Sequence, residues 1–191
     1  MQWRSLIVML ALGSSACFVA QGKTLASPAQ PLQAQSSEMH VRQSFFEHPP
    51  QLIRSAASQI STYTPSTYEF TIALPENARQ PLKAIKITQE PNFEIVKFAA
   101  NRSQAFAGNR YAAGPQIALA SIGGAEDPAG GMTIVFDQPV QPGQTVTVSL
   151  EAKANPSWSG VYLFGVTAYP EGESSRGQFL GYGRFHFYGN S

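Results

Sequence analysis

The sequence predicts an all-β fold, an antiparallel β-sandwich for which an immunoglobulin-like topology is the expected form. Apolar and polar residues alternate with a period of two in many segments after residue 66, which is the pattern of strands with one buried face. The chain contains 16 glycines and 14 prolines, and many of them separate these segments. Charged residues make up only 13% of the chain, about half the usual fraction, so solvent-exposed helices are not favoured.

The predicted strands follow one another with short turns between them. Residues 51–61 carry apolar residues at helical spacing, but serine and threonine weaken that helix, and we expect an extended segment. Residues 160–168 are almost continuously apolar, as in a strand that is buried on both faces. The remaining strands are predicted at 67–74, 82–88, 94–100, 116–122, 132–136, 145–151 and 179–188.

Two of these strands carry specific expectations about their faces. In residues 94–100, Val96 is expected to face the core. In residues 179–188, alternation places Phe179, Phe185 and Phe187 on the core side. The opposite face then carries Leu180, Tyr182, Arg184, His186 and Tyr188.

The N-terminal residues are typical of a secretory signal peptide. Arg4 precedes an apolar run that small and polar residues interrupt before Gln21, and this run is shorter than the roughly 20 residues of a membrane span. We predict a signal peptide over residues 1–26, cleaved after Ala26, and a protein exported to the periplasm or cell envelope. Cleavage would change the formal net charge from +1 to about −1, because Arg4 and Lys23 would be lost.

Cys17 leaves an alternative open. It is the only cysteine of the chain, and lipidation of a cysteine just after an apolar core would anchor the protein to a membrane. Ser14 stands where lipoprotein signals usually carry a large aliphatic residue, so we favour removal of Cys17 with the signal. The exported chain would then have no disulfide and would depend on its core for stability.

The rest of the chain divides into a spacer and one domain. Residues 27–44 contain two prolines and almost no charge, and we predict a disordered spacer. Residues 45–191 fit a single β-sandwich domain. The near-neutral charge gives no reason to expect nucleic acid as a partner. A membrane is expected as a partner only if Cys17 is lipidated, and the sequence leaves the oligomeric state open.

The chain carries no recognisable motif of nucleophilic catalysis. Such chemistry needs a serine or cysteine beside a base that a third group orients, and His40, His48 and His186 belong to no such motif. A Gly-x-Ser-x-Gly sequence is also missing. We therefore expect a protein that is not an enzyme, with no catalytic residues and no cofactor. A hydrolase without a recognisable motif is an alternative.

Copper binding is a further alternative, since Met39 and His40 are adjacent and His48 follows nearby. Imidazole and thioether groups are ligands that suit copper. No His-x-His pair or repeated methionine pattern accompanies them, and a solvated tail is the favoured interpretation. We thus predict no metal site and keep these three residues as the copper candidates.

Aromatic residues suggest a place where a ligand binds. Tyr182 and His186 share the outer face of the last strand, where such groups can stack on a sugar ring or contact a peptide. Trp158 lies in the turn 155–160 and is a candidate ligand platform. The ordinary interpretation is a half-exposed strand face and a tryptophan that folds back over the edge of the sandwich.

Five segments carry a resemblance to a known family. They are GVYLFGVTAYP at 160–170, GQFLGYGRFHFY at 177–188, TYEFTIALPEN at 67–77, ASIGG at 120–124 and PGQTVTV at 142–148. With them, residues 49–188 resemble the exported cyanobacterial family known as domain of unknown function 2808. The resemblance implies an exported bacterial protein and supplies neither an activity nor functional residues. We therefore expect a non-catalytic binding or structural module that binds another envelope component through loops or an aromatic face.

Overall fold

Two five-stranded sheets and a short two-stranded pair make up the computed structural model, which describes residues 43–123 and 131–189. Single turns of 3₁₀ helix lie at Glu76–Ala78 and Ala100–Arg102. The strands are β1 (Gln43–Ser44), β2 (Gln51–Ala57), β3 (Ser66–Ala73), β4 (Leu82–Gln89), β5 (Gln104–Ala107), β6 (Gln116–Ile117), β7 (Leu119–Gly123), β8 (Met132–Val140), β9 (Thr145–Ala152), β10 (Gly160–Pro170), β11 (Ser174–Ser175) and β12 (Gln178–Phe187).

The two larger sheets form the layers of a sandwich. The first sheet has the strand order β12-β10-β4-β8-β7, and the second sheet has the order β2-β3-β9-β5-β6. Neighbouring strands within both sheets are antiparallel, whereas β1 and β11 pair in parallel. The prediction of an all-β, antiparallel sandwich is confirmed.

An aromatic cluster fills the space between the sheets. Tyr68 and Phe70 on β3 meet Phe164 on β10 and Phe185 on β12, with ring centroids 4.9 to 6.2 Å apart. Each of the four side chains is at most 3% exposed. Three of these four pairs are edge-to-face, an arrangement that contributes roughly 0.5–1.5 kcal/mol per pair beyond the burial of area. The inner faces of both sheets therefore share one core.

Two of the predicted segments are extended, but the second one is divided between the sheets. Residues 51–57 form β2 and pair with β3. The prediction of an extended segment is therefore confirmed, although its apolar residues have helical spacing. Residues 116–122 were expected to form one strand. Instead, β6 belongs to the second sheet and β7 to the first, because the chain passes from one layer to the other at Ala118.

Residues 94–100 form no continuous strand, and this prediction is wrong. The side chain of Gln89, which is 2% exposed, serves this backbone instead. Its Nε2 donates to the Glu94 carbonyl at 2.7 Å, and its Oε1 accepts from the Val96 amide at 2.8 Å. Val96 is buried as expected. Periodicity indicated the inward side chain, but it does not reveal that an amide side chain satisfies the backbone there.

Phe179 faces outward, contrary to the prediction. Val166 on β10 pairs with Gly181, and the next residue, Thr167, pairs with Phe179. Leu180 is therefore an extra residue in β12, a β-bulge, and Gly181 has a φ of +115° that glycine adopts without strain. The bulge reverses the alternation, so Phe179 is 51% exposed while Leu180 packs against the core.

Several predictions lie outside the described residues. These include the signal peptide over 1–26 with Cys17, the spacer up to residue 42, and the copper candidates Met39 and His40. Strand β1 begins at Gln43, inside the segment that was predicted to be a spacer. In the part of the chain that the structure describes, no helix has the length and apolar character needed to cross a membrane.

Candidate functional site: an aromatic loop end

One end of the sandwich gathers three loops and the C-terminal strand end. Ser66 at the start of β3 pairs with Ala152 at the end of β9, and Gly160 at the start of β10 pairs with Phe187 at the end of β12. The loops 58–65, 90–99 and 153–159 therefore lie at the same end of the molecule. We call these loops, with Val161 and Tyr188, the loop end.

The loop end is rich in exposed apolar side chains. Within the described residues, seven of the twelve large hydrophobic side chains that are exposed belong to it. Phe93 is 93% exposed and Trp158 is 66% exposed. The other five are Ile60, Tyr63, Ile95, Val161 and Tyr188. Exposed hydrophobic residues that are clustered rather than scattered mark interaction surfaces.

Asn155 ties the loops of this end together. Its side chain is 2% exposed, and its Nδ2 donates to the carbonyls of Gln59 and Ser61 at 3.0 and 2.8 Å. Its Oδ1 accepts from Tyr68 Oη at 2.9 Å, and its amide donates to the Thr64 carbonyl at 2.8 Å. One buried amide thus fixes loop 58–65 against loop 153–159.

Further hydrogen bonds fix the remaining parts of the loop end. Both the amide and the hydroxyl of Ser157 donate to Glu94 Oε2, at 2.6 and 2.5 Å. Tyr162 Oη donates to the Trp158 carbonyl at 3.1 Å. The Tyr188 amide donates to the carbonyl of Ile60 at 2.9 Å. The exposed aromatic side chains therefore stand on a backbone that is already ordered, which lowers the entropic cost of binding.

Burial keeps the two tyrosines beneath the loop end protonated. Burial is the main cause that raises the pKa of Tyr68 well above its usual range, and the charges of Tyr162 and Glu94 raise it further. Burial also raises the pKa of Tyr162, with a further contribution from Glu94. Both phenols therefore act as hydrogen-bond donors under ordinary conditions, in agreement with the bonds to Asn155 and Trp158.

A groove lies beside two of these exposed side chains, Phe93 and Ile95. It has a volume of about 590 Å³ and is lined by residues of two loops, among them Phe93, Ile95 and Pro156. Lys97 and Lys153 also line it, and both are exposed. The carboxylate of Glu94 is held by Ser157. The groove thus combines apolar walls with two positive charges that project into solvent.

The structure separates the three predicted platform residues. Trp158 belongs to the loop end, and its side chain is exposed rather than folded back over the sandwich edge. His186 borders the loop end, opposite Val161 on β10, with its Nε2 3.0 Å from Arg184 Nε. Tyr182 lies further along β12.

Tyr182 forms a separate small patch with Phe179 on the outer face of the first sheet. The two rings are edge-to-face with centroids 5.1 Å apart. Gly165 lies beneath them. A Cβ at this position would be 3.2 Å from the ring of Phe179 and 3.5 Å from the ring of Tyr182. The negative charge of Glu90 is the main cause that raises the pKa of Tyr182.

The described residues offer little for copper. His48 is exposed, and its Nδ1 lies 3.1 Å from the carbonyl oxygen of Asn77. Across 43–123 and 131–189, no three His, Cys, Asp or Glu side chains are grouped so that they would hold a metal ion. Since Met39 and His40 lie outside these ranges, the absence of a metal site stays a prediction and copper binding stays its alternative.

Sequence reasoning missed most of the loop end. Ile95 was assigned to the predicted strand 94–100, and Phe93, Ile60 and Tyr63 were not singled out as site residues. The available signal was the presence of large apolar residues within turn segments, next to Pro91 and Pro156. It has meaning only once the topology shows that these turns lie at one end.

Comparison with known proteins identifies the family. A family model described as a protein of unknown function (DUF2808) matches residues 43–187, which is most of the chain. The chain belongs to the DUF2808 family. The match covers all twelve strands described above and the whole loop end except Tyr188. No curated protein sequence matches this DUF2808 chain.

Solved structures with a similar arrangement of strands are distant. A chain from the structure of manganese lipoxygenase of Gaeumannomyces graminis with part of the zonadhesin of Komagataella pastoris has a TM-score of 0.46 and 11% identity, over 71% of this chain and 46% of that one. The DUF2808 chain thus spans about half of that protein's length.

Two bacterial structures are also similar in this limited sense. The collagen-binding domain of a Staphylococcus aureus adhesin has a TM-score of 0.37 and 6% identity, over 65% of this chain and 88% of that one. An uncharacterised Nocardia farcinica protein with an immunoglobulin-like fold has a TM-score of 0.40 and 14% identity, over 70% of this chain and 95% of that one. Likenesses of this size add nothing to the functional argument.

Proposed function

We propose that this DUF2808 protein is a non-catalytic binding module of the cell envelope, and that it binds an envelope protein through the loop end. The seven exposed hydrophobic side chains at the loop end carry the proposal, together with the hydrogen bonds of Asn155 and Ser157 that fix its three loops. The apolar N-terminal segment with Arg4 supports export. An exposed apolar surface of this kind is retained in a soluble domain when a partner covers it.

A protein is the partner that suits this surface best. Tryptophan and tyrosine are the residues that most often dominate binding energy at protein interfaces, and Trp158, Tyr63 and Tyr188 supply them here. The groove of about 590 Å³ gives a protruding side chain a place to enter. Lys97 and Lys153 beside it favour a partner surface that carries acidic side chains.

Site-specific photo-crosslinking tests the proposal. Phe93 is replaced by benzoylphenylalanine in the full chain, which is expressed in its native host and irradiated. The matched control places the same residue at Phe45, which is 64% exposed but precedes β2 at the opposite end of the sandwich. We expect one discrete crosslinked protein from position 93 and none from position 45.

Two further variants show whether the crosslink reports the loop end. Trp158→Ser in the benzoylphenylalanine protein should abolish the crosslink, whereas Tyr182→Ser on the outer face of β12 should leave it unchanged. Equal crosslinking from both positions, or a crosslink that survives Trp158→Ser, would contradict the proposal. Crosslinking to lipid alone would replace the protein partner with a membrane surface and would equally overturn it.

A further inference from the structure

The outer face of the second sheet carries a polar basin that the loop end does not include. The basin has a volume of about 380 Å³, which lies within the range of roughly 300–1,000 Å³ for small-ligand pockets. Its lining is polar apart from one aromatic ring. The lining residues are Ser58, Thr67, Glu69, Arg102, Gln104, Tyr111, Ser149 and Glu151.

Strand register explains why these side chains converge. Ser149 on β9 pairs with Glu69 on β3 on one side and with Gln104 on β5 on the other. The three side chains therefore form a row across three neighbouring strands on one face. One row further along, Thr67 on β3 pairs with Glu151 on β9. Two hydroxyls, an amide and two carboxylates thus share a small area.

The hydroxyl of Ser149 is the observation that points to a ligand. Ser149 is 3% exposed. Its Oγ has no hydrogen-bond partner, and among the buried side-chain oxygen and nitrogen atoms of the described residues it alone lacks one. A buried polar group that lacks a partner costs about 1–3 kcal/mol. A ligand hydroxyl that enters the basin would remove this cost.

The neighbouring threonines on the same face show the contrast. Thr147 Oγ1 and Thr71 Oγ1 lie 3.0 Å apart, and Thr147 Oγ1 also donates to the Gly108 carbonyl at 2.9 Å. The loop between β5 and β6 therefore satisfies this pair. It stops short of Ser149, which lies two residues beyond Thr147 on β9 and at the floor of the basin.

Tyr111 gives the basin an aromatic wall. Its ring is half exposed and packs edge-to-face on Phe106, with centroids 4.8 Å apart. The loop that carries it is tightly closed, since a Cβ at Gly114 would lie 2.6 Å from the Ala107 carbonyl oxygen. The ring is therefore held at the rim, where it can cover the apolar face of a flat ligand.

Each of the two carboxylates in the basin is paired with an arginine. Arg54 forms an ion pair with Glu69, and Arg102 Nη2 lies 2.7 Å from Glu151 Oε1. Each carboxylate keeps lone pairs free to accept further hydrogen bonds, and each guanidinium has further N–H donors. A charged ligand gains nothing from such a site, whereas a neutral ligand with many hydroxyl groups meets both donors and acceptors.

We propose that the basin binds a neutral saccharide, with Ser149 and the two carboxylates bonding its hydroxyl groups and Tyr111 covering its apolar face. The pattern of alternating donors and acceptors around one aromatic ring matches adjacent hydroxyls of a pyranose. The proposal is independent of the loop end and its protein partner.

Calorimetric titration of the full chain tests this inference. The probes are the neutral pentasaccharides of glucose, mannose and galactose, with pentagalacturonic acid as the charged comparison. We expect at least one neutral probe to bind and the charged probe to bind more weakly. Ser149→Ala should weaken binding about tenfold, while the midpoint of thermal unfolding is unchanged or raised, because the unpaired hydroxyl is gone.

Matched variants distinguish the basin from the loop end. Tyr111→Ala should also weaken saccharide binding, and Trp158→Ser should leave it unchanged although it abolishes the protein crosslink. The inference is overturned if no neutral probe binds at millimolar concentration, or if Ser149→Ala binds as the wild type does. Tighter binding of pentagalacturonic acid than of every neutral probe would overturn it as well.

Discussion

Tyr68 Oη donates a hydrogen bond of 2.9 Å to Asn155 Oδ1, and both side chains are buried. Tyr68 belongs to the aromatic cluster between the sheets, with its ring centroid 4.9 Å from that of Phe185. Asn155 holds loop 58–65 by two further hydrogen bonds. This single contact therefore joins the packing of the core to the shape of the loop end, which is the proposed binding surface.

Asn155→Ala should destabilise the domain strongly. The substitution leaves Tyr68 Oη and the Ser61 carbonyl without their partner, whereas the Gln59 carbonyl still accepts from Ser66 Oγ at 3.2 Å. A buried polar group that is left unpaired costs about 1–3 kcal/mol. We expect the free energy of unfolding to fall by about 3 kcal/mol or more, as measured by urea denaturation. Asn92→Ala is the control, since its Nδ2 bonds the Val161 carbonyl in an exposed position, and a comparable loss there would contradict the prediction.

The stability of the domain should decrease at alkaline pH. The pKa of Tyr68 is raised in the folded state, whereas an unfolded tyrosine titrates near pH 10. Above this pH the unfolded chain loses a proton that the folded chain keeps, so the free energy of unfolding falls as pH rises, by up to about 1.4 kcal/mol per pH unit for one group. Urea denaturation between pH 8 and 11.5 measures this slope.

Tyr68→Phe provides the test of that assignment. Phenylalanine keeps the ring in the core and removes the titrating group, so the slope above pH 10 should become shallower. Tyr162 contributes a slope of the same sign, because its pKa is also raised by burial, and a residual slope in Tyr68→Phe is therefore expected. A slope identical to that of the wild type would show that Tyr68 is not responsible.

Most strands could be predicted from the sequence because burial of one sheet face imposes a period of two. The segment 67–74 shows it well: Tyr68, Phe70 and Ile72 are fully buried in β3. The period fails where a single local contact changes it. The bulge at Leu180 turns Phe179 outward, and the side chain of Gln89 replaces a strand partner for residues 94–96.

The candidate sites were less predictable because they depend on which turns and strands become neighbours. Trp158 was identified as a turn residue, but Phe93 and Tyr63 join it only through the pairing of strands that are far apart in sequence. The basin was even harder to predict from the sequence. Glu69, Gln104 and Ser149 are ordinary outward residues of three separate strands, and only their register brings them together.

Glycines at two positions of the first sheet should tolerate substitution very differently. A Cβ at Gly183 would lie 2.7 Å from Phe70 Cε1 and 3.1 Å from Ser55 Cβ. The Phe70 ring is fully buried and packs against the rings of Phe164 and Phe185, so Gly183→Ala should cost about 2–3 kcal/mol of stability. A Cβ at Gly165 meets the half-exposed rings of Phe179 and Tyr182, and Gly165→Ala should cost less than about 1 kcal/mol. Urea denaturation of both variants measures the two losses of stability. A loss for Gly183→Ala as small as that expected for Gly165→Ala would show that the ring of Phe70 moves to accommodate the Cβ.

Glu90→Gln should lower the pKa of Tyr182 toward the ordinary value of a tyrosine. The negative charge of Glu90 is the largest cause of the raised pKa, and a hydrogen bond between the two side chains acts in the same direction. Glutamine retains hydrogen-bonding capacity but removes the charge, so phenolate formation becomes easier. The ¹³Cζ chemical shift of Tyr182 as a function of pH measures the change. Glu76→Gln, in the 3₁₀ turn that follows β3, is the control and should leave the titration unchanged. If the titration curve of Tyr182 is the same in Glu90→Gln as in the wild type, a group other than Glu90 raises the pKa of Tyr182.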